Sequence, residues 1–204
     1  MQAEGPIAAV VLAAGASRRF GEANKLLATI DDTPLIARVI DTLVEGGVAD
    51  IVVVTGHDRA GIEDVLCGRP VHLAHNANWE SGLGTSIATG IAAADVWATG
   101  ALIVPGDMPL MTVQLIAALI AAFESAGRDR IVFPTNAAGE QRNPVLWPRR
   151  YFSALRQLPP QAGAKSLLSE ARADCLSITF DCDAVLRDVD TLDDLKAARS
   201  DAAR

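Results

Sequence analysis

The sequence predicts a three-layer α/β/α fold built on a mostly parallel sheet. Three observations carry this reading: short, continuous apolar runs, amphipathic helical stripes between them, and alternation of the two along nearly all 204 residues. Strands covered by helices on both faces read as unbroken apolar runs, without the polar alternation of a half-exposed sheet. Helices that separate such strands imply parallel pairing through right-handed crossovers, hence a Rossmann-like arrangement.

The first strand is Ile7-Ala8-Ala9-Val10-Val11-Leu12. Ile51-Val52-Val53-Val54 and Ala101-Leu102-Ile103-Val104 repeat the pattern and are rich in β-branched residues. Pro70 to Ala74, Arg130 to Phe133 and Cys175 to Phe180 are further strand candidates. A helix is expected to start at Thr33-Pro34, a capping hydroxyl followed by a residue whose missing N–H costs nothing there. Its buried stripe would be Leu35, Ile36, Val39, Ile40, Leu43 and Val44, closed by Gly46-Gly47. A second stripe, Leu115, Ile116, Leu119, Ile120 and Phe123, follows Thr112, and Thr191-Leu192-Asp193-Asp194 resembles a capping box with Asp in place of Glu.

Length and composition bound the answer further. At roughly 150 residues per domain, residues 1–204 read as one domain. The polar, proline-containing stretch from Thr135 to Leu168 breaks the alternation and reads as an insertion or lid over one edge. Half of the residues are hydrophobic, which excludes intrinsic disorder, yet no stretch nears the about 20 unbroken apolar residues of a membrane span. With 18 Lys plus Arg against 25 Asp plus Glu, the net charge of −7 argues against a nucleic-acid surface. No secretory signal pattern opens the chain, and Cys67, Cys175 and Cys182 form no Cys-x-x-Cys, so small apolar cysteines in a reducing cytoplasm are expected.

In open α/β sheets the site lies beyond the carboxyl ends of the strands, so the residues after Leu12, Val54, Ala74 and Val104 carry the chemistry. The segment Leu12-Ala13-Ala14-Gly15-Ala16-Ser17-Arg18-Arg19-Phe20-Gly21-Glu22-Ala23-Asn24-Lys25 follows the first strand. Its small residues let backbone N–H groups approach a ligand, Gly15 and Gly21 permit turns, and three cations fall within eight residues of an acidic chain. A polyphosphate pocket fits this pattern, as does a solvated basic turn. It is neither a Walker A loop nor a dinucleotide fingerprint. After Val104 comes Pro105-Gly106-Asp107-Met108-Pro109, where a carboxylate in a tight turn can hold Mg²⁺ or merely cap the turn.

The loop resembles the signature of the nucleotidyltransferases that make molybdenum cofactor dinucleotides, Leu-Ala-Ala-Gly-x-Ser-x-Arg-x-Gly followed by Lys. The resemblance runs from about Ile7 to Ala198 and takes in Gly-Asp-Met-Pro, the Asn76–Ser86 segment, Asn143-Pro144-Val145-Leu146 and Asp188-Val189-Asp190-Thr191. It implies that Leu12, Ala13, Ala14, Gly15, Ser17, Arg19 and Lys25 bind the triphosphate, with Arg18 on a variable position. Gly82 and Ser86 would lie beside the base or ribose, and the helix they open could offer free N–H groups to an anion. Asp107 and Asp190 would hold Mg²⁺, or Mn²⁺ in its place, so that Arg19, Lys25 and Asp107 form the catalytic set. Asn143 and Pro144 would face the acceptor. His57 falls at a similar place in the family, but phosphoryl chemistry needs little proton transfer and no catalytic role is expected for it.

Ala14 matches the cytidylyltransferase spelling, where guanylyltransferases carry Ala-Gly-Gly. The implied activity is transfer of CMP from CTP to molybdopterin with release of pyrophosphate, with a molybdenum hydroxylase or its maturation factor as transient partner. Other nucleotides, a sugar or alditol phosphate acceptor, or a non-enzymatic molybdenum cofactor chaperone are the alternatives. Three residues separate Gly21 from Lys25 where two are usual, a variant also associated with the family. Two departures stand out: Arg142 stands where the family shows Gly, and Gln161 stands where it shows Asp, with Lys165 at the basic end.

Overall fold

The computed structural model describes residues 5–203 except Glu22 and Asp95. The strands are β1 (Ile7–Ala13), β2 (Thr29–Ile30), β3 (Thr33–Pro34), β4 (Asp50–Thr55), β5 (His72–His75), β6 (Gly100–Pro105), β7 (Ile131–Thr135), β8 (Val145–Pro148) and β9 (Cys175–Thr179). The helices are α1 (Leu35–Glu45), α2 (Arg59–Leu66), α3 (Leu83–Ala93), α4 (Val113–Ser125), α5 (Phe152–Arg156), α6 (Lys165–Glu170) and α7 (Leu192–Ala202). The main sheet has seven strands in the order β5-β4-β1-β6-β8-β7-β9, and β2 and β3 form a separate small hairpin.

Side chains alternate across the sheet with a period of two, which splits the core into two layers. Ala9, Val11, Ile51, Val53, Leu102 and Val104 face α1, α2 and α4, whereas Ala8, Val10, Val52, Val54, Ala101 and Ile103 face α3, α5 and α6. The parallel registers Ala9↔Ile51 and Ala9↔Leu102 keep these rows aligned. The mostly parallel, helix-covered sheet agrees with the sequence.

The sequence reading needs correction at several points. Thr33 does not cap α1. It lies in the hairpin, Pro34 takes the cap position without a side-chain bond, and the first helical N–H, that of Leu35, donates to the Ala28 carbonyl at 2.9 Å. Val44 is 39% exposed and lies off the buried stripe. The closing glycines do behave as expected: Gly47 adopts φ +79°, its N–H donates to Val44 and that of Val48 to Leu43, a Schellman arrangement. Thr112 caps α4 through the Leu115 N–H, and Thr191 with Asp194 forms the capping box of α7.

The larger difference concerns Thr135 to Leu168. Part of this stretch is β8, every residue of which is buried, and which lies between β6 and β7 and runs antiparallel to both. A strand with two antiparallel neighbours needs no crossover helix, so the alternation of strands and helices that revealed the others did not mark it. The cysteines are free, but Cys67 and Cys182 are exposed and do not serve as core residues. Among the described residues no helix is long and apolar enough to cross a membrane.

The chain leaves β1 toward β4 and β5, then returns to place β6 on the other flank of β1. This reversal opens a crevice beyond the carboxyl ends of β1 and β6. A third apolar cluster, with Phe20, Ile30, Leu35, Val189 and Leu195, packs the start of α7 against the loop after β1 and the small hairpin. That packing brings residue 190 onto residues 19 and 25.

Candidate active site

The loop after β1 is fixed by its own polar side chains. The Lys25 N–H donates to Ser17 Oγ at 3.2 Å, and Asn24 Oδ1 accepts from the Leu26 N–H at 3.1 Å, capping a short 3-10 turn at Lys25–Leu27. Asn24 Nδ2 also donates to Asp58, which in turn caps α2. The left-handed positions are Gly21, with φ +110°, and Ser17, with φ +51°. Gly15 is not needed for a turn. A Cβ built on it would meet nothing within 4 Å among the described residues, so its freedom serves the open space beside it.

Asp107 is held from two sides. The Gly106 N–H donates to the Leu12 carbonyl at 3.0 Å, and a Cβ on Gly106 would lie 2.9 Å from that same oxygen. The Val189 N–H donates to the Asp107 carbonyl at 2.9 Å, which ties the approach to α7 to the same turn. Asp190 is steadied by Asp194, whose carboxylate accepts from the backbone N–H groups of Asp190 and Thr191.

Three segments distant in sequence converge here. Lys25 Nζ lies 2.5 Å from Asp107 Oδ2 and 2.7 Å from Asp190 Oδ1, and Arg19 reaches the other Asp190 oxygen at 2.8 Å. Lys25 and Asp107 side chains are only 14% and 16% exposed. Burial pulls the Lys25 ammonium down, but its two carboxylate partners outweigh that and hold it above the usual lysine value. Burial pushes the Asp107 carboxyl up and Asp188 adds to this, with Lys25 opposing. Among the described residues, Asp107 Oδ1 is buried without a hydrogen-bond partner.

These residues border a cavity of about 410 Å³ lined by Leu12, Ala14, Gly15, Ser17, Arg18, Arg19, Lys25, Gly82, Ser86, Asp107 and Asp190, with Trp79 and Leu83. The size suits a small-molecule site. Ala13, which the family resemblance places on the phosphates, turns its side chain instead into the core beneath α1, because it alternates with Leu12 and Ala14. His57 is exposed, stacks at 5.1 Å on Trp79 and does not line the cavity.

A second cavity of about 310 Å³ adjoins the first and shares Leu12, Leu83 and Pro105 with it. Asn143, Arg142, Lys165 and Asp188 line it, while Pro144 is buried and does not. Gln161 has a structural use: its amide donates to the Ser81 carbonyl at 2.6 Å. The Pro159–Gly163 turn thereby closes over the start of α3, where the Gly84 N–H donates to the Pro160 carbonyl. That N–H is therefore not free for an anion, contrary to the sequence reading. Sequence reasoning also passed over Asn76, which is 3% exposed and bonds the Thr85 and Ser86 hydroxyls. An Asn just past the carboxyl end of a strand was its only signal.

Fold and site together, a basic loop and acidic residues across one crevice, go with a nucleotidyltransferase class of domain. The chain belongs to the MobA-like NTP transferase domain family, which matches residues 9–176. It is 34% identical over 112 residues to the bifunctional protein GlmU of Carboxydothermus hydrogenoformans, covering 54% of this chain and 24% of that one. The chain thus spans about a quarter of the length of such curated relatives. The nicotine blue oxidoreductase of Paenarthrobacter nicotinovorans is 30% identical over 118 residues, 56% of this chain and 55% of that one. Among solved structures, Rv0371c from Mycobacterium tuberculosis superposes with a TM-score of 0.82 at 25% identity, covering 98% of this chain and 100% of that one.

Proposed function

We propose that this chain is a Mg²⁺-dependent cytidylyltransferase that moves CMP from CTP onto a molybdopterin-type acceptor and releases pyrophosphate. The observation that carries the reading is the meeting of Lys25 with Asp107 and Asp190 on one cavity, beside a second cavity with a basic rim. The Ala13-Ala14-Gly15 spelling of the loop supports CTP, and family membership supports the transfer.

The residues present fit a divalent ion. Asp107 Oδ1 is a buried carboxylate oxygen without a partner, and hard oxygen donors suit Mg²⁺ or Mn²⁺. Asp107 and Asp190 would hold it, and when bound it would neutralise charge on the phosphates undergoing transfer. Arg18, Arg19 and Lys25 provide positive charge on the same wall to receive the triphosphate. In the second cavity Arg142 and Lys165 would orient the acceptor's phosphate toward the shared wall at Leu12, Leu83 and Pro105. An acceptor phosphate oxygen attacks the α-phosphorus, the bond from that phosphorus to the bridging oxygen breaks, and pyrophosphate leaves with the electron pair. A phosphate monoester is already ionised near neutral pH, so no general base is needed. Positioning and electrostatics supply the rate.

In this reading the product serves a molybdenum hydroxylase, directly or through its maturation factor, in the cytoplasm. Pyrophosphate release measured across CTP, GTP, ATP and UTP, with and without molybdopterin, tests it. Release with CTP that requires molybdopterin, and is lost in Asp107→Ala, is the expected result. Release with a sugar or alditol phosphate instead would reassign the acceptor. Tight pterin binding without any release would reassign the chain as a carrier.

A further inference from the structure

Four charged groups close on one another across the crevice: Lys25 between Asp107 and Asp190, and Arg19 on the free oxygen of Asp190. We propose that Lys25 is a latch that keeps a divalent ion out of the carboxylate pair until a nucleoside triphosphate draws the ammonium away. The proposal rests on the nucleotidyltransferase reading and concerns the order in which that site fills.

The geometry sets this up. Both carboxylates ride on fixed backbone, Asp107 through Gly106 and Val189, Asp190 through Asp194. The Lys25 backbone is fixed as well, by Ser17, so the adjustable part is its four-carbon stem. Its Nζ occupies the space between Asp107 Oδ2 and Asp190 Oδ1 at 2.5 and 2.7 Å, the space from which a cation would reach both.

Charge counting gives the consequence. Lys25, Arg19, Asp107 and Asp190 sum to zero when paired. A divalent ion added alone must displace an ammonium with nowhere better to go. A triphosphate added alone brings its negative charge up to two carboxylates. Added together, the phosphates take Lys25 and Arg19 while the ion takes the carboxylates, and each conflict is relieved.

Two carboxylates leave most of a Mg²⁺ shell to water and phosphate oxygens. Metal and nucleotide affinities are then coupled, and linkage makes that coupling reciprocal.

The test is Mn²⁺ binding to the whole chain without nucleotide, followed by electron paramagnetic resonance. Lys25→Met is expected to bind Mn²⁺ about tenfold more tightly than wild type, within the usual span of coupling. Arg19→Ala, a change at a side chain 73% exposed and therefore safe for folding, should strengthen metal binding in the same direction by a smaller factor. Adding Asp190→Asn to Lys25→Met should remove the gain. Unchanged or weaker Mn²⁺ affinity in both single variants overturns the latch. CTP binding to wild type in excess Mg²⁺, read from the fluorescence of Trp79 on the cavity wall, is scored separately. Its failure would count against the nucleotide reading and against the triphosphate as the latch's release, whereas the Mn²⁺ measurement alone decides whether Lys25 keeps the ion out.

Discussion

Gly90 sits in the interior of α3, where Ala is intrinsically better by about 1 kcal/mol, so propensity alone makes Gly90→Ala a stabilising change. The packing says the opposite. A Cβ at this position would lie 2.1 Å from Val10 Cγ1 and 2.9 Å from Val54 Cγ2, methyls of the two central strands. Carbon atoms prefer about 3.5–4.0 Å, so α3 must retreat by about 1.5 Å or Val10 must leave its rotamer. Overpacking of this kind costs about 1–3 kcal/mol, and an intrusion on two strands at once belongs at the upper end. After subtracting the propensity gain, Gly90→Ala should lose about 2 kcal/mol. For a chain of this size that lowers the melting temperature by about 4–8 °C. Urea denaturation and thermal melts followed by circular dichroism measure both quantities. Because α3 also carries Leu83 and Ser86 into the cavity proposed for the nucleotide, the CTP affinity proposed for it should fall in the same variant. A Gly90→Ala protein as stable as wild type, or more so, would refute the close approach of α3 to the sheet.

Gly15→Ala should behave in the reverse manner: its added methyl meets nothing among the described residues, so stability is kept, while intrusion into the cavity proposed for the triphosphate raises the KM for CTP. Thr191→Ala should cost about 0.5–2 kcal/mol in urea denaturation and, by loosening Asp190, should weaken metal-nucleotide binding too. The hydrogen bond from Thr191 holds the Asp194 carboxyl below its ordinary range. Its contribution is therefore present above the unfolded value near about 3.9 and lost as pH falls through the folded one. Melting temperatures of wild type and Asp194→Asn should accordingly converge as pH falls below about 4. Arg142→Ala should raise the KM for the acceptor and leave that for CTP unchanged, as read from steady-state pyrophosphate release.

The parallel half of the sheet was legible because β1, β4 and β6 are buried on both faces and no polar residue interrupts them. The box at Thr191 was legible because a side chain and a backbone group three residues apart suffice to form it. β8 was not legible, since four residues that follow Pro144 and end on Pro148 look like loop until two neighbouring strands are in place. The same limit applied within the site. The basic loop and Asp107 could be named from their turns, but the contact of Lys25 with Asp190 joins residues 165 positions apart. It depends on the packing of Phe20 with Val189, which no local pattern encodes.

The position of β8 also bears on how the chain is made. The strand pair β7–β9 joins the rest of the sheet through β8 alone. During synthesis β6 emerges about 40 residues before its outer neighbour, which at cellular rates leaves its flank open for roughly 2–8 s. An unpaired strand of Leu, Ile and Val is a template for association with other chains. Nascent protein in which β6 has left the ribosome and β8 has not should therefore be the form most dependent on a chaperone at the ribosome exit.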